Sequence, residues 1–238
     1  MSNENECGDA RSSCTESIAV CWHLCYIDNS MSRTPKRAWI IGIDEVGRGP
    51  FAGPVTVCAV AIPTMQYHKM KWGVLTDSKK MTPRTRKQWY TKAKEYANEG
   101  VLRYAIASQT ARAIDTKGLA VCIRLCIAKV LATLTIAPHE CVLVLDGGLK
   151  APVVYDRQKT IIKGDLSEKV ISLASVIAKV HRDEYMETLH KKHPQYGWLT
   201  NKGYGTAAHR KAIKTHGISP FHRISFLSGT IDKKTKKC

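Results

Sequence analysis

Hydrophobic and polar residues alternate with two different periods between residues 38 and 227, and together these periods predict an α/β domain. Short β-branched runs bounded by Gly, Pro and charged residues predict strands. Longer segments with apolar residues every three or four positions predict helices, and Thr82-Pro83 is typical of a helix start. Because the strands come first and then alternate with helices, we expect a mixed central sheet flanked by helices, with a helical C-terminal portion. The predicted strands are Trp39–Ile43, Val55–Ile62, Val101–Ala107, Cys141–Leu145 and Thr160–Ile162, and the predicted helices are Pro83–Asn98, Ile114–Leu134, Leu166–His190 and Ala207–Thr215.

Two segments of different composition flank the predicted domain, which spans residues 37–227. Residues 1–36 are acidic, rich in Ser, Asn and Cys, and without a clear period, so we expect a disordered extension there. Its apolar stretch Ile18–Ile27 follows acidic residues and is too short to span a bilayer, so it predicts neither a signal peptide nor a membrane span. Residues 228–238 form a basic tail.

The charge of the chain narrows the class of partner. There are 37 Lys and Arg residues against 20 Asp and Glu residues, for a formal charge of +17. An excess of this size in one domain favours a polyanion, and nucleic acid in particular. Hydrophobic residues make up 44% of the chain, which excludes disorder over its whole length. The nine cysteines are odd in number, so a disulfide scaffold is not expected.

Carboxylates follow three of the predicted strands, at the edge where ligands bind in α/β sheets. Asp44 and Glu45 end the first strand, Asp146 ends the fourth and Asp165 follows the fifth. Along a regular strand Asp44 and Glu45 would face opposite ways, so they can converge only if the chain bends there, and Gly47 and Gly49 permit such a bend. Each acid alone fits a turn or a helix cap, but the coincidence of all three positions favours a site.

Four carboxylates brought together would repel one another and resist ionisation. A divalent cation removes this conflict, and a ligand set of oxygen atoms favours Mg²⁺ or Mn²⁺ over zinc. On a protein of high positive charge, such a site indicates a bound phosphodiester and metal-assisted attack by water.

Short motifs occur in a defined order over about residues 38 to 227. They are Gly42-Ile43-Asp44-Glu45-Val46-Gly47-Arg48-Gly49-Pro50, Asp77-Ser78-Lys79-Lys80, Ile114-Asp115 with Gly118, Leu145-Asp146-Gly147, Lys163-Gly164-Asp165, Ala174-Ser175-Val176-Ile177-Ala178-Lys179 with Arg182-Asp183, Lys202-Gly203-Tyr204-Gly205-Thr206, and His222-Arg223 with Ser225-Phe226. Each motif is short, but the ordered set resembles type 2 ribonuclease H, the ribonuclease HII family.

This resemblance implies a ribonuclease H-like fold and a metal-dependent endonuclease. Such an enzyme hydrolyses the RNA strand of RNA–DNA hybrids and nicks on the 5′ side of ribonucleotides embedded in duplex DNA. The products carry 3′-hydroxyl and 5′-phosphate ends, and the expected role is ribonucleotide removal during DNA replication and repair. The resemblance also implies that Asp44, Glu45, Asp146 and Asp165 are the catalytic, metal-binding acids. Asp183 matches a family position that usually lies outside the metal site.

Recognition of the substrate depends on the 2′-hydroxyl, which alone distinguishes a ribonucleotide from a deoxynucleotide. The segment Gly47-Arg48-Gly49 has little side-chain bulk at its glycines and permits close approach of the backbone. The resemblance implies that this segment and Tyr204 recognise the junction between ribose and deoxyribose. We expect Lys163 to contact a phosphate and Lys179 to be a structural partner of a carboxylate.

Two alternative functions stay open on the sequence: a non-catalytic nucleic-acid binder on the same scaffold, and a DNA-directed nuclease of the same fold. The intact acids argue against the binder, which gains nothing from carboxylates near phosphate. We further expect a monomer in the cytoplasm that binds RNA–DNA hybrids and ribonucleotide-containing DNA, and no membrane partner. Residues 227–238 contain no aromatic pair of the sliding-clamp type, so clamp docking is not predicted.

Overall fold

The computed structural model describes residues 38–73, 75, 78 and 80–227. The predicted extension 1–36 and the predicted tail 228–238 lie outside the described residues. The strands are β1 (Trp39–Val46), β2 (Val55–Pro63), β3 (Arg103–Gln109), β4 (Cys141–Asp146) and β5 (Gln158–Ile161). The helices are α1 (Thr64–Lys69), α2 (Pro83–Asn98), α3 (Ala111–Lys117), α4 (Leu119–Leu134), α5 (Gly164–Ser167), α6 (Lys169–Lys192), α7 (Trp198–Asn201) and α8 (Ala207–His216), with 3₁₀ turns at Pro138–Glu140, Pro194–Tyr196 and Ile224–Phe226.

The central sheet is mixed, as predicted. Its strand order is β3-β2-β1-β4-β5, in which β2 is antiparallel to both β1 and β3, whereas β4 pairs in parallel with both β1 and β5. The run Val55–Ile62 in β2 is buried throughout, because helices cover both faces of the sheet. The parallel pairing of β1 with β4 aligns Ile43 with Leu145, so the carboxyl ends of these two strands lie side by side.

Alternate residues of β1 face two different helical layers. Ile41 and Ile43 belong to the apolar cluster that α4 closes, whereas α2 and α6 build the cluster on the opposite face. Gly42 points toward α6, and a Cβ at this position would lie 2.5 Å from the carbonyl carbon of Val170. A larger residue would push the helix away, so glycine lets α6 pack directly against the strand that carries Asp44.

Two helices that the periodicity predicts as continuous are each divided. The segment Ile114–Leu134 breaks at Gly118, whose φ of +81° ends α3 before α4 begins. The helix predicted from Leu166 is instead the single turn α5 followed by α6, with extended backbone at Glu168 between them. Asp165 therefore lies in the first turn of α5 and does not cap the long helix. The short helices α1 and α7 were not predicted, since one turn carries no periodic stripe.

The helical C-terminal portion packs on the loop that follows β1. A third apolar cluster joins Ala52 of this loop to Met186, Trp198 and Ile213. Ala52 also pairs with His222 in an isolated β-bridge. The end of the described chain thus covers the loop that begins directly after Glu45 and Val46. None of the helices in the described ranges has the length and apolarity to cross a bilayer.

Candidate active site

The carboxyl ends of β1 and β4 bring three acids to one edge of the sheet. Asp44 and Glu45 directly precede the last residue of β1, and Asp146 is the last residue of β4. The strands are in register at Ile43 and Leu145, so Asp146 stands beside the acidic pair. Asp165 lies on α5, which directly follows the neighbouring strand β5.

Asp44 is the most deeply placed of these acids, with 5% of its surface exposed. One carboxylate oxygen, Oδ1, accepts the Glu45 backbone N–H at 2.7 Å, and the side chain also bonds Ser175 of α6. Burial, followed by the neighbouring charge of Glu45 and the weaker influence of Asp146, raises its pKa to about 8. The Ser175 hydroxyl in turn shares a 2.7 Å hydrogen bond with Ser78, so three polar groups form a chain that ends at Asp44.

Glu45 lies on the opposite face of β1, toward α4. Its Oε1 accepts a hydrogen bond from Arg48 Nη1 at 2.9 Å. Its Oε2 is buried and has no hydrogen-bond partner within the described part of the chain. Burial raises the pKa of Glu45 in spite of the Arg48 guanidinium, and Asp146 adds to the increase. A buried carboxylate oxygen without a donor is costly, which is typical of an atom that has another ligand in the working protein.

The bend that Gly47 and Gly49 permit follows the acidic pair and does not fall within it. The strand continues in regular antiparallel register through Asp44, Glu45 and Val46, and the chain turns only at Gly47, whose φ is +87°. The two acids therefore point to opposite sides of β1. Asp146 nevertheless raises the pKa of both, so it stands close to each at the exposed strand ends.

Asp146 and Asp165 are held by the turn between β5 and α5. Asp146 Oδ1 accepts the Gly164 N–H at 2.7 Å. A Cβ on Gly164 would lie 2.6 Å from Ile171 Cδ1, so the small residue permits this contact. Asp165 is buried, with 6% of its surface exposed, and its carbonyl accepts a 2.6 Å hydrogen bond from Ser172 Oγ. The backbone around both acids is thus fixed by short hydrogen bonds.

The donor set fits a hard divalent cation. Asp44, Glu45 and Asp146 supply oxygen atoms that repel one another, and one of those oxygens is a buried acceptor without a donor. As the side chains stand, no three acidic, His or Cys side chains of the described ranges share one ion-sized position. Binding of such an ion by these acids therefore requires side-chain rotation.

The segment Gly47-Arg48-Gly49 begins where β1 ends and reaches Tyr204. A Cβ on Gly49 would lie 3.9 Å from Tyr204 Cε1, so the backbone and the ring are neighbours. Tyr204 is 44% exposed and Arg48 and Gly49 are also exposed, which leaves this surface open to a ligand. Gly47 has no such freedom, because a Cβ there would clash with Arg182 and would lie 2.7 Å from the Pro54 carbonyl.

Two fully buried arginines, which the sequence analysis treated only as motif residues, shape this loop. Arg182 donates to the carbonyls of Pro54, Lys202 and Ala52 at 3.0, 3.0 and 3.2 Å.

Arg223 donates to the carbonyls of Gly53, Arg48 and Gly47 at 3.0, 3.0 and 2.7 Å. Together the two guanidinium groups satisfy carbonyls on both sides of the turn and join it to the Tyr204 loop. Only weak signals in the sequence point to these two structural roles. Arg182 lies among the apolar positions of a helix, and Arg223 lies beside an aromatic residue.

A pair of buried histidines supports the Tyr204 loop from below. His209 Nδ1 donates to the Tyr204 carbonyl at 2.9 Å, because a carbonyl only accepts. His222 Nδ1 accepts the Ser219 N–H at 2.9 Å, so His222 Nε2 carries the proton that it shares with His209 Nε2 at 3.1 Å. Trp198 Nε1 donates to the same His209 nitrogen at 3.1 Å. These bonds fit two neutral rings with fixed tautomers.

The predicted lysines have different surroundings. Lys163 is exposed beside Asp165 and adopts a positive φ of 57°. Lys179 bonds Asp183 at 2.7 Å within α6, so it is a structural partner of that carboxylate and not of the acids at the sheet edge. Burial lowers the pKa of Lys179. In the motif at residues 77–80 the structure describes Ser78 and Lys80, and the other two positions lie outside the described residues.

Comparison with known proteins assigns the family. The profile described as Ribonuclease HII matches residues 41–228. The chain belongs to the ribonuclease HII family. A curated Ribonuclease HII of Desulfitobacterium hafniense (strain DSM 10664 / DCB-2) is 38% identical over 83% of this chain and 74% of its own length. A second, of Wolbachia pipientis subsp. Culex pipiens (strain wPip), is 40% identical over 79% of this chain and 89% of its own length.

Solved structures share the fold of this ribonuclease HII. The enzyme in a PCNA:RNase HII complex from Archaeoglobus fulgidus has a TM-score of 0.62 at 22% identity, covering 78% of this chain and 93% of its own. A Bst-RNase HIII in complex with Mn²⁺ has a TM-score of 0.60 at 19% identity, covering 82% and 69%. The expected ribonuclease H-like fold is confirmed. The protein is a ribonuclease H, an endonuclease of a metal-dependent family.

Proposed function

We propose that this ribonuclease HII cleaves the RNA strand of RNA–DNA hybrids and also nicks duplex DNA on the 5′ side of an embedded ribonucleotide. The products carry 3′-hydroxyl and 5′-phosphate ends. One observation carries the proposal: the strand that delivers Asp44 and Glu45 beside Asp146 leads directly into the backbone of Gly49, which lies against the Tyr204 ring. Hydrolytic groups and a surface for a sugar therefore belong to one continuous segment.

Asp44, Glu45, Asp146 and Asp165 would hold Mg²⁺ or Mn²⁺. The ion, when bound, supplies Lewis-acid activation of water and neutralises charge on the phosphodiester. The mutual repulsion of the acids and the orphaned Glu45 Oε2 support this assignment. The choice between the two metals, and the number of ions, stays a prediction for metal titration.

The remaining groups hold these acids and the substrate. Arg48 fixes Glu45 through Oε1 and leaves Oε2 free, and the Gly164 N–H orients Asp146 in the same way. The exposed backbone of Gly49 and the ring of Tyr204 would contact a 2′-hydroxyl and its sugar. Lys163, exposed two residues before Asp165, would pair with a phosphate.

Product mapping on one substrate tests the proposal. The substrate is a DNA duplex with a single ribonucleotide, incubated with and without Mg²⁺ or Mn²⁺. We expect one metal-dependent cut on the 5′ side of the ribonucleotide, with a 3′-hydroxyl on the upstream fragment. Substitution Tyr204→Ala should reduce cleavage of this substrate by about 10-fold or more, since one stacked contact contributes about 1–3 kcal/mol.

Tyr185→Ala is the matched control, because Tyr185 is 40% exposed, compared with 44% for Tyr204, and lines a pocket to which neither Gly49 nor Tyr204 contributes. Equal cleavage of an all-DNA duplex would contradict the proposal and favour a DNA-directed nuclease. Binding without any metal-dependent cleavage would favour a non-catalytic binder.

The biological role stays a prediction as well. Ribonucleotide removal during replication and repair follows from the proposed cleavage, and the monomeric state and cytoplasmic location require separate measurement. The clamp prediction concerns residues 227–238, of which the structure describes only Leu227.

A further inference from the structure

A groove of about 200 Å³ lies on the α4 side of the sheet, next to the acids. One wall is a single face of α4, formed by Ala120, Ile123, Arg124 and Ile127 at helical spacing. The other wall is the turn after β4, Gly148–Lys150, and the loop after β1 contributes a further side chain. Two of the three elements that enclose this groove, the turn after β4 and the loop after β1, follow directly on strands that carry the acids.

The groove is positively charged, and two of its three cations lack counter-charges in the described part of the chain. Arg48, Arg124 and Lys150 line it, together with apolar side chains and no acidic residue. Within the described ranges the side chains of Arg124 and Lys150, both exposed, form no ion pair or hydrogen bond, while Arg48 pairs with Glu45. A structural role would provide partners for such cations, so the arrangement fits an external anion.

The groove is continuous with the carboxylates on the Glu45 face of β1. Arg48 joins the two directly, because it lines the groove and bonds Glu45 at 2.9 Å. Gly148 lies two residues after Asp146. The α4 face from Ala120 to Ile127 is about 10 Å long at 1.5 Å per residue. About three nucleotides of one strand fit this length at 3.4 Å each.

We infer that this groove binds the sugar–phosphate backbone of the nucleic acid on one side of the cleaved bond, with Arg124 and Lys150 pairing with phosphates. The inference rests on the proposed function and adds to it a binding surface outside the acid cluster and the Tyr204 loop. The groove fixes the position of the bound strand but does not recognise its base sequence, because its charged groups match phosphates and not base edges.

Steady-state cleavage of the single-ribonucleotide duplex between 50 and 200 mM salt tests the groove. The variant is Arg124→Gln with Lys150→Gln. The matched control is Lys129→Gln with Lys191→Gln, which removes the same charge from exposed positions, one of them on another face of α4. We expect the groove variant to raise KM about 10-fold at 50 mM salt with kcat within about 2-fold, and to lower the slope of log KM against log salt by about 2.

Shortened duplexes add a directional readout. Truncation on one side of the ribonucleotide should abolish the difference between groove variant and wild type, and truncation on the other side should preserve it. An unchanged salt slope, an equal loss in the control, or a difference that survives both truncations would overturn the inference. The inference would also be overturned if an acidic peptide bound in the groove and cleavage of the duplex stayed unchanged. If the wild type itself cuts no ribonucleotide substrate, the proposed function fails instead, and binding of the uncut duplex still tests the groove.

Discussion

The acidic sheet edge and the loop that follows it both bury charged groups, but the two regions differ in how completely those groups are hydrogen-bonded. In the loop, each of Arg182 and Arg223 donates three hydrogen bonds to backbone carbonyls. At the edge, Glu45 retains an unpartnered buried oxygen, and burial with neighbouring acids raises the pKa of Asp44 to about 8. Among the described residues, the two buried guanidinium groups are hydrogen-bonded by backbone carbonyls, whereas one buried carboxylate oxygen at the sheet edge, Glu45 Oε2, has no donor.

This difference separates a rigid support from a reactive centre. Hydrogen-bonded charges fix one backbone shape, which suits the proposed recognition of a 2′-hydroxyl group. Crowded carboxylates destabilise the metal-free fold and are relieved by a cation, so their unfavourable free energy favours metal binding. The two regions should therefore respond in opposite directions to mutation, pH and metal.

Asp44→Asn should have the largest effect. Loss of a metal-binding carboxylate removes several kcal/mol of transition-state stabilisation, so we expect cleavage to fall by about 10³-fold or more. In the absence of divalent metal the same variant should be more stable than wild type by about 1–3 kcal/mol in urea unfolding, because it removes a buried repulsive charge. Asp156→Asn, at a side chain that is 73% exposed, is the control. A less stable Asp44→Asn protein would contradict the comparison.

Arg223→Lys should act in the other direction. A lysine keeps the charge but cannot reach the three carbonyls that the guanidinium fork serves, so buried acceptors lose their donors. We expect a loss of about 2–4 kcal/mol in the free energy of unfolding. KM for the ribonucleotide substrate should rise as Gly47 and Arg48 lose their anchor. Arg103→Lys, at an exposed position, should change stability little.

The histidine pair predicts a loss of stability in acid. Burial, with a smaller effect of His209, lowers the pKa of His222 to about 4. The unfolded chain takes up this proton near pH 6.5, so the stability contributed by the neutral ring is complete above pH 6.5 and is lost as pH falls toward 4. The loss is at most about 3 kcal/mol. Urea unfolding at pH 7, 6 and 5 measures it, and His222→Gln should flatten the profile.

The contribution of Asp44 to the pH dependence of stability has the opposite sign. Its raised pKa means that the folded state prefers the neutral acid, so its contribution is complete below pH 3.8 and is lost as pH rises toward about 8. Repeating the measurements in the Asp44→Asn background should remove this opposite slope and leave the histidine effect alone. A profile that keeps both slopes in that background would show that another acid is responsible.

Arg48→Ala should have the smallest effect on stability. The Arg48 side chain is 57% exposed, so its ion pair with Glu45 contributes less than about 1 kcal/mol to the free energy of unfolding. The expected change is in kinetics, as KM rises when Glu45 loses its orientation and the loop loses a cation. A loss of more than about 2 kcal/mol in the free energy of unfolding would contradict this and indicate that Arg48 has a structural role like that of Arg182 and Arg223.

Local patterns in the sequence were sufficient to predict the strands and the acids at their ends. The β-branched runs define β1 and β4, and strand ends determine where Asp44 and Asp146 lie. They also indicated the glycines at which the chain bends, but not that pairing with β2 keeps the strand regular through Val46, so that Asp44 and Glu45 face opposite sides. The break at Gly118 has a local cause, a positive φ, that apolar periodicity alone does not reveal.

The support of the loop could not be predicted from local patterns at all. The hydrogen bonds of Arg182 and Arg223 reach carbonyls more than a hundred positions earlier in the chain in five of six cases. The tautomers of the two buried histidines depend on which carbonyl and which N–H face them, and only the folded chain shows these partners.

The hydrogen bonds between Arg223 and the carbonyls of Arg48 and Gly47 join residues 175 and 176 positions apart. During synthesis on the ribosome, the strand that carries Asp44 and Glu45 therefore emerges long before the arginine that shapes the adjoining turn. Until Arg223 has been synthesised, the turn at Gly47 and Arg48 lacks these hydrogen bonds.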